Sequence, residues 1–280
     1  METMPEMSKQ EKDVLDGLRG LVNYTTEHLK PMDMTKITLK QNLLMAMFAP
    51  INQYTEAICE LCTSRRPSPA NVILRSIVEA WINSLYVLGH PNDKAGYLFA
   101  IEDSYYRKGF ATEALAFYSR YPKQMFLPPD FLNDLLEKTE DELKEYKDKK
   151  GIYFENKGEF NKKWGSLLSR AQWVDTRNKK RQGDKAGGVE NTYLVAYKYL
   201  SEYTHLSMRG LEHFIKRDEN GESYLIDKNP DGADAVLATT YTIYLHFAQK
   251  LKQYGIVDCS FSEYFKFFRE TVKFTASKKS

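Results

Sequence analysis

The stretch NVILRSIVEAWINSLYVL (Asn71–Leu88) limits the possible folds of this chain more than any other. On a helix advancing about 100° per residue, Leu74, Ile77, Val78, Trp81, Leu85 and Leu88 wrap most of the circumference. Arg75, Glu79 and Asn83 fall at i, i+4 and i+8, with Tyr86 between them in angle, and form one narrow polar stripe. A helix apolar nearly all round is buried, and a buried charge is costly unless paired. The stripe must therefore face another polar group or a cavity, and the helix must sit inside a bundle.

The rest of the chain supplies that bundle. Helical periodicity places segments at about 8–30, 38–63, 69–88, 92–120, 129–149, 160–173, 190–216, 232–254 and 260–275. PSPAN, HPNDK and NPDGAD put Pro, Asn or Asp at the first turns of three of them. Pro50 is expected to kink or split the second. In FIKRDENGESYLID, short apolar runs flank Asp218, Asn220 and Gly221, which reads as a small hairpin near 214–227. The fold class is all-α: one multi-helix bundle over residues 1–280, of about nine helices, with that hairpin as an appendage.

Composition narrows the partners. With 40 basic and 38 acidic residues the net charge is +2, so no global field calls for nucleic acid or an anionic membrane. METMPEMSKQEKDVLDGL lacks the apolar run of a signal peptide, and no window is read as reaching the roughly 20 apolar residues that span a bilayer. Three cysteines are too few for a disulfide scaffold. A cytoplasmic protein with no membrane partner is expected.

A second polar feature lies in YKYLSEYTHLSMRGLEHF, where Tyr197, Ser201 and His205 recur every four residues on the shoulder of an aromatic helix. Just before it, VDTRNKKRQGDKAGGVEN gathers Arg177, Lys179, Lys180, Arg181 and Lys185. This reads as a polar loop, either simply solvated or a basic flap for a phosphate or nucleic acid. ILRSIVEAWINSLYVL followed by YKYLSEYTHLSM resembles the DUF5677 family of uncharacterised bacterial proteins, over roughly residues 40 to 250. The family pattern matches here at Arg75, Glu79, Tyr197, Ser201 and His205. The resemblance implies that the two stripes belong together in one pocket; Arg75, Glu79, Ser201 and His205 are its catalytic candidates. Asn83, Tyr86, Tyr197, Lys179, Lys180 and Arg181 are the candidates for substrate binding.

More broadly, the chain is similar to HEPN-type bundles, many of them metal-independent ribonucleases of defence systems. Their signature is an Arg four to six residues before a His on one helix. No Arg precedes His205 in that way, and RGLEH leaves Arg209 one residue short of the pattern before His213. The resemblance then requires Arg75 to replace the missing arginine from a neighbouring helix, beside His205 as general acid or base. The expected ligand is RNA or a nucleotide; the alternative is a non-catalytic ligand-sensing or structural module. No cofactor or metal is expected: Glu202 to His205 is the one Glu-x-x-His spacing, and Cys59-x-x-Cys62 has no second pair. There is no GxSxG, P-loop or GxGxxG motif. Tyr264, Phe265, Phe267 and Phe268 near the C-terminus suit burial against a second subunit, so the helices at 8–30 and 260–275 are the candidates for a homodimer contact.

Overall fold

The computed structural model describes residues 6–33, 35–123, 127–152, 154, 156–182, 188–198, 215–217, 223–225 and 232–272, and the side chains of these outside 179–182 and the strands. The helices are α1 (Lys9–Glu27), α2 (Leu39–Thr63), α3 (Pro67–Gly89), α4 (Lys94–Arg120), α5 (Pro129–Lys150), α6 (Lys157–Trp164), α7 (Leu167–Gln182), α8 (Gly188–Thr192), α9 (Ala233–Gln253) and α10 (Ser262–Phe267). Two segments, Tyr193–Lys198 and Phe268–Val272, wind as π-helix. Strands β1 (Ile215–Arg217) and β2 (Ser223–Leu225) pair antiparallel, with Lys216 opposite Tyr224. The protein is an all-α bundle, and its described residues form two compact units: Met1–Leu85 with Ala171–Ser280, and Tyr86–Arg170.

In the first unit α9 is the central helix. Leu237, Tyr241, Tyr244, Phe247 and Leu251 are fully buried, and α1 and α2 pack on them through Leu18, Leu21, Leu44 and Ile51. Capping boxes start both packing helices, Ser8 with Glu11 and Thr38 with Gln41. α2 runs unbroken through Pro50, so the expected split does not occur. It ends in a Schellman turn, in which the Arg66 N–H donates to the Leu61 carbonyl and the Arg65 N–H to that of Cys62. Arg65 occupies the left-handed position there, at φ 58°, where glycine is usual. Its guanidinium meets the Glu11 carboxylate at 3.4 Å, an ion pair nearly closed to solvent. One arginine thus ties the end of α2 to the cap of α1.

The C-terminal aromatics find partners inside this unit. Tyr264 packs on Tyr24 and donates to the Gly20 carbonyl, and Phe267 lies against Tyr241. A Cβ at Gly17 would stand 2.6 Å from the Phe267 ring, which explains the glycine in the middle of α1. With these contacts Tyr264, Phe265, Phe267 and Phe268 are half-buried within the unit.

In the second unit α4 and α5 form a helical hairpin with α6 packed on α4. Arg107 donates to Asp103 and to Glu142 across the hairpin, and Lys108 pairs with Glu140. Tyr86 meets the edges of His90 and Trp164 at 4.7 and 5.5 Å.

Candidate functional site

α3 carries the first polar stripe. Its buried face is Leu74, Ile77, Val78, Trp81 and Ile82, as the apolar periodicity requires. By length and composition α3 also reaches the threshold of a membrane span, with a mean hydropathy of 1.3 over an 18-residue window, which corrects the expectation that no window does. Half of that window is buried inside the protein, as in a core helix, and it keeps Arg75 and Glu79 on one side.

The partner of that stripe is Tyr197. Arg75 Nη2 donates to the Tyr197 hydroxyl at 3.0 Å, and the hydroxyl donates to Glu79 Oε2 at 3.3 Å. The Arg75 guanidinium also lies over the tyrosine ring, 4.6 Å from its centroid. Arg75 and Glu79 are therefore joined through a third residue more than a hundred positions away. Burial and the Glu79 charge together raise the Tyr197 phenol above its ordinary range, against the opposing pull of Arg75. The phenol stays protonated and serves as donor to the carboxylate.

Two atoms of the stripe find no partner among the described residues. Arg75 Nε and Asn83 Oδ1 are buried without a hydrogen-bond partner among the described residues. A buried polar atom left unpaired costs on the order of 1–3 kcal/mol. One is a donor and the other an acceptor, so the stripe has capacity for a ligand that offers both.

What holds Tyr197 in place was not read from the sequence. Asp175 on α7 is buried, and its carboxylate accepts the Val189 and Glu190 N–H groups at 3.3 and 2.7 Å. It thereby fastens the start of α8, and Gln172 adds a bond to the Glu190 side chain. α8 leads directly into the π-helical turn on which Tyr193 stacks on Tyr197, centroids 5.3 Å apart. Wide π turns occur frequently at functional sites, because the extra residue re-aims the side chains that follow.

The structure thus brings Arg75, Glu79 and Tyr197 together, with Asn83 buried two turns along the same helix. Tyr86 belongs to the second unit. Ser201 and His205 lie outside the described residues. Lys179, Lys180 and Arg181 correct an expectation: they sit on α7, which continues to Gln182, and not in a loop. A run of bases carries no apolar period, so it resembles a loop in sequence. Cys59 and Cys62 are buried on α2, where desolvation pushes both thiols up to about 12. Among the described residues no three His, Cys, Asp or Glu side chains gather as a metal site.

This architecture belongs to a recognised family. Residues 41–223 match the family of unknown function DUF5677, about two thirds of the chain, and the protein is a member of it. The Arg75–Glu79 and Tyr197 elements both lie inside the matched span. No curated protein and no solved structure matches the chain.

Proposed function

We propose that the Arg75–Tyr197–Glu79 cluster is the centre of an RNA- or nucleotide-acting site, and that the protein is a HEPN-like, metal-independent ribonuclease of bacterial defence or stress responses, working in the cytoplasm. The observation that carries this reading is the hydroxyl of Tyr197, held between a guanidinium and a carboxylate on α3. An arginine whose buried Nε has no hydrogen-bond partner among the described residues is suited to a phosphate, which offers acceptors in the plane of its fork.

In this reading the phosphate lies on Arg75, which stabilises the charge gathering on its non-bridging oxygens. His205 takes the proton from the ribose 2′-hydroxyl. The 2′-oxygen bonds to phosphorus, the bond to the 5′-oxygen breaks, and the imidazolium returns its proton to that leaving oxygen. The products are a cyclic phosphate end and a 5′-hydroxyl. Glu79 and Tyr197 keep the guanidinium oriented, Asn83 and Ser201 contact the nucleotide, and Lys179, Lys180 and Arg181 hold flanking phosphates.

The test is cleavage of end-labelled RNA by wild type, Arg75→Ala and His205→Ala. Loss of roughly a hundredfold or more in both variants is expected for a removed transition-state contact and a removed proton carrier. Wild-type cleavage by both variants, or none by wild type, ends the reading. A second reading, a non-catalytic sensor, is favoured by the way Tyr197 satisfies both charges within the chain. Binding of a labelled nucleotide without turnover, weakened by Arg75→Ala, would select it.

A further inference from the structure

The second unit holds a cavity of about 300 Å³ between α4, α5 and the segment that follows α5. Ile101 and Tyr105 of α4, Leu143 and Tyr146 of α5, and Ile152 and Phe154 beyond them form its apolar wall. Gly151, left-handed at φ 61°, ends α5 and turns the chain back, and the Ile152 N–H then donates to the Tyr146 carbonyl. Ile101 and Ile152 are buried, and the rings of Tyr105 and Phe154 are each braced on Phe160, with centroids 5.3 Å apart. A space of this size exceeds the gaps that a packed core leaves and reaches the lower bound of small-molecule pockets. At roughly 30 Å³ per heavy atom it has room for about ten of them.

The open side of this cavity is basic. Lys144 and Lys147, one turn apart on α5, line it and are exposed, so their apolar stems border the cavity and their ammonium groups meet water. Among the described residues no carboxylate lines it. Glu142 and Glu145 stand near enough to add to the effect of burial in raising the Tyr146 phenol. Glu142, however, accepts from Arg107 and Ser104, and Glu145 borders a separate acidic depression of α5. Two more ammonium groups lie on nearby rings: Lys163, paired with Glu159, over Phe154, and Lys150 over Tyr97, which packs on Tyr146. The negative end of the helix dipole explains Lys147, Lys149 and Lys150 in the last turn of α5. It does not explain Lys144, which lies before that turn and is in no ion pair among the described residues.

We propose that this cavity binds a small apolar monocarboxylate of about ten non-hydrogen atoms. Its hydrocarbon body lies against Ile101, Leu143, Ile152 and Phe154, and its carboxylate meets Lys144 and Lys147. Burial of the hydrocarbon supplies affinity, and the two lysines select an anion over a neutral or cationic molecule of the same shape. The site is built from the second unit alone and does not rest on the nucleotide reading.

The probes are octanoate, octanol and octylammonium, which share a chain length and differ in charge. Each is titrated into the full chain near neutral pH and followed by isothermal titration calorimetry. Octanoate is expected to bind about fivefold more tightly than octanol, the scale of exposed ion pairs, and octylammonium more weakly than either. Lys144→Glu/Lys147→Glu should reverse that order and make octylammonium the tightest of the three, a gain that loss of folding cannot imitate. Leu143→Trp should fill the cavity and weaken octanoate roughly tenfold or more. No binding of octanoate, equal binding of octanoate and octanol, or an order unchanged by charge reversal would each overturn the proposal. So would full octanoate affinity in Leu143→Trp, since the ligand would then lie elsewhere.

Discussion

At the scale of single residues, Tyr197 makes the stripe on α3 tolerable. The i, i+4 spacing of Arg75 and Glu79 was legible in the sequence, as was the need of each for a partner, either the other or a third group, because a helix apolar nearly all round leaves its charges little water. That the third group would be a phenol using both ring and hydroxyl was not legible, since nothing in a periodic pattern tells which side chain of a facing helix reaches across. Tyr197→Phe isolates the hydroxyl. It keeps the stack with Tyr193 and the cation–π contact, while Arg75 and Glu79 each lose a half-buried partner. A loss of about 1–2 kcal/mol is expected from urea unfolding, most of it absent when Glu79→Gln is already in place. A full loss in both backgrounds would mean that the hydroxyl acts elsewhere than on Glu79.

At the scale of elements, the long helices were readable to within a residue or two at most of their ends, because caps and prolines mark them. The errors have specific causes. One expected helix at 160–173 is two, since Gly165 at φ 74° stops α6 and Ser166 begins α7 by accepting the Ser169 N–H. That Gly-Ser pair was visible, but the apolar period runs across it. The helix expected from 190 begins as α8 and turns π-helical at Tyr193, a change of pitch that hydrophobic spacing cannot resolve. Asp175 is the residue on which this region depends, because it holds the start of α8 and through it the approach of Tyr197. Asp175→Ala should lower stability by about 1–2 kcal/mol, the usual scale for removing a cap, and Asp175→Asn by less because one acceptor survives. If the α8 attachment also positions Tyr197, Asp175→Ala lowers affinity for the nucleotide proposed to bind there while Tyr197→Phe in the same background adds little. Additive losses would separate the two.

At the scale of the whole molecule, the division into two units falls inside α3 and α7, between Leu85 and Tyr86 and between Arg170 and Ala171, where no linker composition announces it. The units differ in what they bury. Cys59, Cys62, Tyr241 and Tyr244, the groups most strongly raised by desolvation, all lie in the first, around α2 and α9. This gives the chain a defined alkaline limit. In the unfolded chain the thiols give up their protons near 9 and the phenols near 10, while in the fold the two thiols hold them to about 12 and the phenols beyond. Between those values the unfolded state binds fewer protons, so the stability is fully present below 9 and falls as the pH rises toward 12. Melting followed by circular dichroism at rising pH should show a Tm that is level to pH 9 and then declines. Iodoacetamide should leave Cys59 and Cys62 unmodified in native protein at pH 9 and modify both in urea, because the reactive thiolate is absent from the fold. Cys59→Ala/Cys62→Ala should flatten the early part of the decline and leave the later, tyrosine-driven part. A Tm unchanged up to pH 11, or native thiols alkylated as fast as unfolded ones, would show that α2 does not keep these groups from water.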